Sequence, residues 1–125
     1  MPSITSLTIN DGLATPVGRV FVPNAKYPVV VWEYNNGGFP SSFPRITVQG
    51  TKNPKTGLFR GRQTIAVPKV DASGLILSVS RINIEVIHAA NSDAAQRADT
   101  RAYAFNSQAM PSFAQAFYRD MEGWF

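Results

Sequence analysis

Along 45–49, polar Arg45, Thr47 and Gln49 alternate with apolar Ile46 and Val48; along 81–86, Arg81, Asn83 and Glu85 alternate with Ile82, Ile84 and Val86. A period of two residues is that of a strand with one wet face and one apolar face. The alternation continues over 58–67, where Arg60, Arg62, Thr64 and Ala66 fall on one side and Phe59, Gly61, Gln63, Ile65 and Val67 on the other. Runs of strand length rich in Val, Ile, Thr and aromatics are predicted at 4–9, 18–22, 29–34, 45–51, 58–67, 75–79 and 80–87. Turn-forming residues separate most of them: Asp11-Gly12, Thr15-Pro16, Pro23-Asn24, Asn35-Asn36-Gly37-Gly38, Asn53-Pro54-Lys55-Thr56-Gly57 and Ser73-Gly74. Connections this short favour an antiparallel meander over parallel crossovers.

After Asn91 the period changes. Asn91-Ser92-Asp93 offers N-cap oxygens, and Ala94, Ala98, Ala102 and Phe105 then recur at helical spacing. Pro111 and Ser112 suit a second helix start, with Phe113, Phe117, Met121 and Trp124 along one stripe. Strands followed by a helix pair describe an α+β domain whose helices cover one sheet face. At 125 residues the chain is predicted to be a single domain, with a hairpin about 4–22, a sheet about 29–87 and helices about 92–122.

Charge changes this picture more than composition does. Hydrophobic residues at 44% and charged residues at 16% exclude a disordered chain, and the net charge is +4. Between Glu33 and Asp71 there is no acidic residue, whereas Arg45, Lys52, Lys55, Arg60, Arg62 and Lys69 all lie there. With neighbouring strands in register, Arg45, Arg60, Arg62 and Arg81 share one surface with hydroxyl and amide groups among them. Guanidinium groups bind phosphates or stack on bases, and Thr, Gln and Asn hydrogen-bond to base edges, so the surface suits nucleic acid. An ordinary solvated sheet face accounts for the same pattern.

Other chemistries find little support. The chain has no cysteine and one histidine, His88, which leaves no thiolate metal site, no thiol nucleophile and no disulfide, and fits synthesis in a reducing compartment. No G-x-S-x-G or Gly-Lys-Ser/Thr motif is present, and Asp120 and Glu122 do not face each other on a helix. An enzyme and a bound cofactor are therefore not expected. The start MPSITSLTIN lacks a basic, apolar leader and no run is long enough to span a bilayer, so a soluble protein made in the cytoplasm is expected, with no membrane partner. The glycine of Arg60-Gly61-Arg62 is expected to make room for a bulky neighbour.

The order of these features resembles the coat proteins of the single-stranded RNA bacteriophages, the leviviruses. The likeness rests on LTINDGLATPVGRVFVP at 7–23, Val29 and Trp32, RITVQ at 45–49, TIAVPKV at 64–70, SRINIEV at 80–86 and NSD at 91–93. The resemblance implies an N-terminal β-hairpin, a five-stranded antiparallel sheet and two C-terminal helices that reach onto a partner. It further implies an interlocked homodimer with one ten-stranded sheet, and dimers assembled into an icosahedral capsid, commonly with T=3 quasi-symmetry. In such a virion the sheet faces single-stranded RNA, and in many members it also grips an RNA hairpin and represses replicase translation.

The resemblance places Val29, Thr47, Gln49, Arg62 and Thr64 at pockets for unpaired adenine, Arg45 and Arg60 at phosphate contacts, and Asn83 at a family asparagine on the RNA face. Two positions depart from the family pattern. Arg62 is bulky where a small hydroxyl residue is typical, and Arg81 stands where a tyrosine usually stacks on a base. The link from Pro68 to Val79 is also shorter than in many members. A small RNA-binding sheet module that forms no shell is the alternative reading.

Overall fold

A computed structural model of the chain describes residues 4–13, 15–25, 29–110, 114 and 118–121. The chain divides into two compact units, 1–87 and 88–125. In the first, six strands form one sheet in sequence order: β1 (Leu7–Asn10), β2 (Gly18–Ala25), β3 (Val30–Glu33), β4 (Arg45–Lys52), β5 (Phe59–Val70) and β6 (Ile76–His88). A 3-10 turn at Pro40–Ser42 interrupts the link between β3 and β4.

The meander expected from the short connections is present, with one rearrangement. The runs at 75–79 and 80–87 are a single thirteen-residue strand, β6. Nothing between Val79 and Ser80 turns the chain: the flanking Ser78 and Ser80 are neither Gly nor Pro, and both tolerate extended backbone. The expected N-terminal hairpin is β1–β2, and because β2 also pairs with β3 the hairpin continues the sheet, which has six strands among the described residues. A bulge between Pro23 and Ala25 absorbs the proline that cannot donate to the ladder. Pro68 is accommodated differently. The last β4–β5 pair is Arg45 with Ala66, so β5 has outrun β4 where the proline falls.

Side-chain contacts tie the hairpin to the sheet. Asp11 Oδ1 accepts the Leu13 and Val17 amides at 3.2 and 3.1 Å, while Oδ2 accepts Arg19 Nε at 2.9 Å. Arg19 Nη1 then donates to the Tyr34 hydroxyl at 3.0 Å, and Trp32 Nε1 donates to the Thr5 carbonyl at 2.8 Å. The Val17 amide is the main cause holding the Asp11 carboxyl below the ordinary aspartate range; the Leu13 amide and Arg19 act in the same direction, against partial desolvation.

Among the described residues only Phe21 and Ile46 are buried. Ile46 lies on the apolar face, where it pairs with Trp32 on one side and Ile65 on the other. That face ends at a cross-strand glycine pair, Gly50 opposite Gly61. The Phe59 ring sits over both, its nearest atoms 2.9 Å from where a Cβ on Gly50 would lie and 3.0 Å from one on Gly61. Gly61 does make room for a bulky neighbour, and that neighbour is Phe59.

The β5–β6 link is a tight turn. Asp71 Oδ1 accepts the Ser73 amide, the Ser73 hydroxyl and the Leu75 amide at 2.9, 2.7 and 3.0 Å. Gly74, at φ +89°, lies under the Phe39 ring, and its carbonyl accepts the Ser41 hydroxyl at 2.8 Å.

The second unit holds helix α1, Ala94–Ala109. Asp93 caps it, its Oδ1 accepting the Gln96 amide at 2.7 Å, as the Asn-Ser-Asp sequence suggests. Arg97 Nη1 donates back to the Ser92 carbonyl and hydroxyl. The second helix expected over 111–122 falls largely outside the described residues.

Candidate nucleic-acid interface

Register decides which side chains meet. Across β4 and β5, Thr47 is opposite Thr64, Gln49 opposite Arg62 and Thr51 opposite Arg60. Alternation then puts these six on the face opposite the Ile46–Ile65 pair. From β3, Val31 is opposite Thr47 and Glu33 opposite Arg45 on that same face. From β6, Asn83 joins them, since its Oδ1 accepts the Thr64 hydroxyl at 2.9 Å.

An open cleft of about 430 Å³ lies at one end of this face. Val29, Gln49, Thr51, Arg60, Arg62 and Glu85 line it. Among the described residues, Gln49, Arg60, Arg62 and Glu85 make no side-chain hydrogen bond or ion pair. Their polar groups face solvent in a cleft that supplies cationic, amide, hydroxyl and carboxylate chemistry together. Arg60 also lines a neighbouring cleft of about 550 Å³ at the β4–β5 turn, with Lys52 and Lys55. The positive surface therefore runs off the sheet and around the turn.

Four of the nine residues singled out in the sequence (Val29, Gln49, Arg60 and Arg62) meet in the first cleft. Thr47, Thr64 and Asn83 form a hydroxyl and amide patch beside it. Arg81 is an exposed β6 residue two positions from Asn83, on the same side by alternation. Arg45 is set apart. It is opposite Ala66, six residues along β4 from Thr51, which is roughly 20 Å at the usual strand rise. Its Nε donates to Glu33 Oε1 at 2.7 Å and its Nη2 to the Pro40 carbonyl at 3.3 Å. Its charge is thus already matched, and it does not converge with Arg60 and Arg62.

Sequence reasoning passed over Thr51, Glu33 and Glu85. Glu85 follows Asn83 by two, so the alternation that singled out Arg81 and Asn83 includes it. Glu33 was the boundary of the acid-free segment, and the link 34–44 folds it back onto Arg45. Among the described residues no cluster of His, Asp or Glu has the makings of a metal site, and no helix is long and apolar enough to cross a membrane.

Fold and surface together define a one-sheet α+β protein with an open face that is cationic at one end. The chain matches the levivirus coat protein family over residues 2–125, and it belongs to that family. No curated protein matches it. Among solved structures, the virus-like particle of bacteriophage ESE058 is similar at 19% identity, covering 99% of this chain and 100% of that one, with a TM-score of 0.86. The virus-like particle of bacteriophage NT-214 is similar at 20% identity over 98% and 100%, with a TM-score of 0.82. An unassembled virus coat protein dimer, described as a bacteriophage RNA-binding dimer, is similar at 20% identity over 98% of each chain, with a TM-score of 0.61. These likenesses establish the fold; the family match establishes a coat protein, a structural class.

Proposed function

We propose that the chain assembles as homodimers into an icosahedral shell and holds single-stranded RNA on the open sheet face, within a virion formed in the cytoplasm of a bacterial host. The carrying observation is the cleft in which Arg60, Arg62 and Gln49 lie together, unengaged, on a face that the sheet leaves open. Arginine charge neutralises phosphates largely regardless of sequence and releases counterions, so the binding weakens with salt. The cleft also offers a place for an unpaired base, which repression of replicase translation through an RNA hairpin requires.

Burial supports the dimer. Fixing the backbone costs roughly 1–2 kcal/mol per residue, whereas a fully buried aliphatic or aromatic side chain returns about 1.5–3 kcal/mol. Two buried side chains among the described residues fall far short of that demand. Strand β6 ends the sheet with its first eight residues exposed, Ile76 and Leu77 at 55% and 62%. A long exposed edge strand of this kind invites pairing with another strand, and a second copy provides one by symmetry.

Size-exclusion chromatography of the chain expressed in bacteria tests the proposal, with ultraviolet absorbance of nucleic acid and protein followed across the peak. A particle of megadalton size with nucleic-acid-dominated absorbance is expected. A small dimer free of nucleic acid under assembly-permissive salt contradicts the shell and favours the sheet module.

A further inference from the structure

The first cleft is not uniformly cationic. Glu85 stands in it with Arg60 and Arg62, yet pairs with neither. For a surface that only neutralises phosphate, a carboxylate in its lining is a liability, since it repels the polyanion. It gains a use when the ligand offers donors as well as acceptors.

We propose that this cleft accepts an unpaired guanine of single-stranded RNA, with Glu85 as the residue that selects it. This deepens the RNA-binding reading above and rests on it. A carboxylate is acceptor-only and holds two adjacent N–H donors at once. Guanine presents such a pair, N1–H and the N2 amino group, on its Watson–Crick edge. On its other edge it presents O6 and N7, two acceptors that a guanidinium grips bidentately.

The other bases fit this donor set less well. Adenine turns an acceptor, N1, towards the carboxylate beside its single amino group. Cytosine likewise pairs one amino donor with the N3 acceptor. Uracil offers one N–H flanked by two carbonyls. Of the four bases, guanine alone offers a carboxylate two adjacent donors and a guanidinium two adjacent acceptors. Arg62, opposite Gln49 in the β4–β5 register, is placed for the O6/N7 edge, and Arg60, shared with the cleft beside Lys52 and Lys55, for the adjoining phosphate. Bases read in this way are those splayed out of single strands and loops.

The test measures binding of the purified dimer or particle subunits to four single-stranded RNA oligomers of one uridine-rich sequence, differing only in a central G, A, C or U. The Glu85→Gln and Arg62→Ala variants and guanosine monophosphate are measured alongside. The proposal expects the G oligomer to bind roughly tenfold tighter than the others. It expects Glu85→Gln to remove that preference by weakening binding to the G oligomer relative to the other three, while binding to the U oligomer tightens, because the carboxylate no longer repels the polyanion. Since Glu85 is exposed, the variant is expected to elute as the wild type does.

Equal, salt-dependent binding of all four oligomers overturns the guanine pocket and leaves the RNA face standing. Absence of binding to any oligomer overturns both. A preference for G that survives Glu85→Gln overturns the role of the carboxylate. Tight binding of guanosine monophosphate with no preference among the RNAs overturns the proposal in favour of a free nucleotide.

Discussion

Arg45 Nε donates to Glu33 Oε1 at 2.7 Å across the β3–β4 pair, so the first arginine of the acid-free segment is neutralised by the acid that bounds it. Arg60 and Arg62 have no such partner among the described residues. Counterion release depends on unmatched cations that reach phosphate. Arg60→Ala is expected to reduce the slope of log affinity against log salt by about 0.7, the single-strand value per phosphate contact, and Arg62→Ala, whose guanidinium is assigned to a base edge, by less. Arg45→Ala is expected to change it far less. Titrating a single-stranded RNA against the three variants at several salt concentrations checks this ordering.

Acid is expected to loosen the β1–β2 hairpin. The Asp11 carboxyl is held below its ordinary value of 3.8, chiefly by the Val17 amide. A depressed carboxyl contributes stability that is present above the unfolded-state value and lost as pH falls through the lower folded-state value. The thermal midpoint of the wild type therefore drops in that acidic window. Asp11→Asn, which cannot ionise, is expected to lower the midpoint near neutral pH and to flatten its acid dependence. Asp71, lowered mainly by the Ser73 hydroxyl, titrates in the same direction, so Asp71→Asn is the companion control.

At the far end of the apolar face, Gly61→Ala sets a methyl group against the Phe59 ring, about 3.0 Å from its nearest atom. The ring is expected to leave its seat, at a cost on the order of 1 kcal/mol. With Phe59→Ala already in place, the same substitution is expected to be nearly neutral. A double-mutant cycle by denaturant unfolding measures the coupling.

The β5–β6 turn tolerates only glycine at 74, because its φ of +89° opposes a side chain and the Phe39 ring lies 3.0 Å from where a Cβ would stand. Gly74→Ala is expected to cost about 1–2 kcal/mol from the backbone alone. Ser41→Ala removes the hydroxyl that the Gly74 carbonyl accepts, and is expected to cost less than Gly74→Ala. Thermal unfolding of the two variants compares them.

The strands were legible because one face is wet. Alternation through Ile46 and Val48 on β4, and through Arg60, Arg62 and Thr64 on β5, fixed both period and side, and Asp93 marked the start of α1. What the sequence hid was pairing. Whether Glu33 meets Arg45 depends on how the link 34–44 closes, and that link contains a 3-10 turn with no strong period of its own. The division of β6 into two runs failed for the opposite reason, since a composition that varies along a strand does not end it without a turn residue. Glu85 was visible in the alternation but carries the wrong sign for a search guided by positive charge.

The central claim, that the Arg60 and Arg62 end of the open face holds RNA inside a shell, is tested most directly by the nucleic acid content of purified particles of the Arg60→Ala, Arg62→Ala double variant. Both residues are exposed strand positions on the wet face, so assembly is expected to survive. Particles of wild-type size with clearly reduced RNA per unit protein are the expected result. Particles with undiminished RNA would contradict the account.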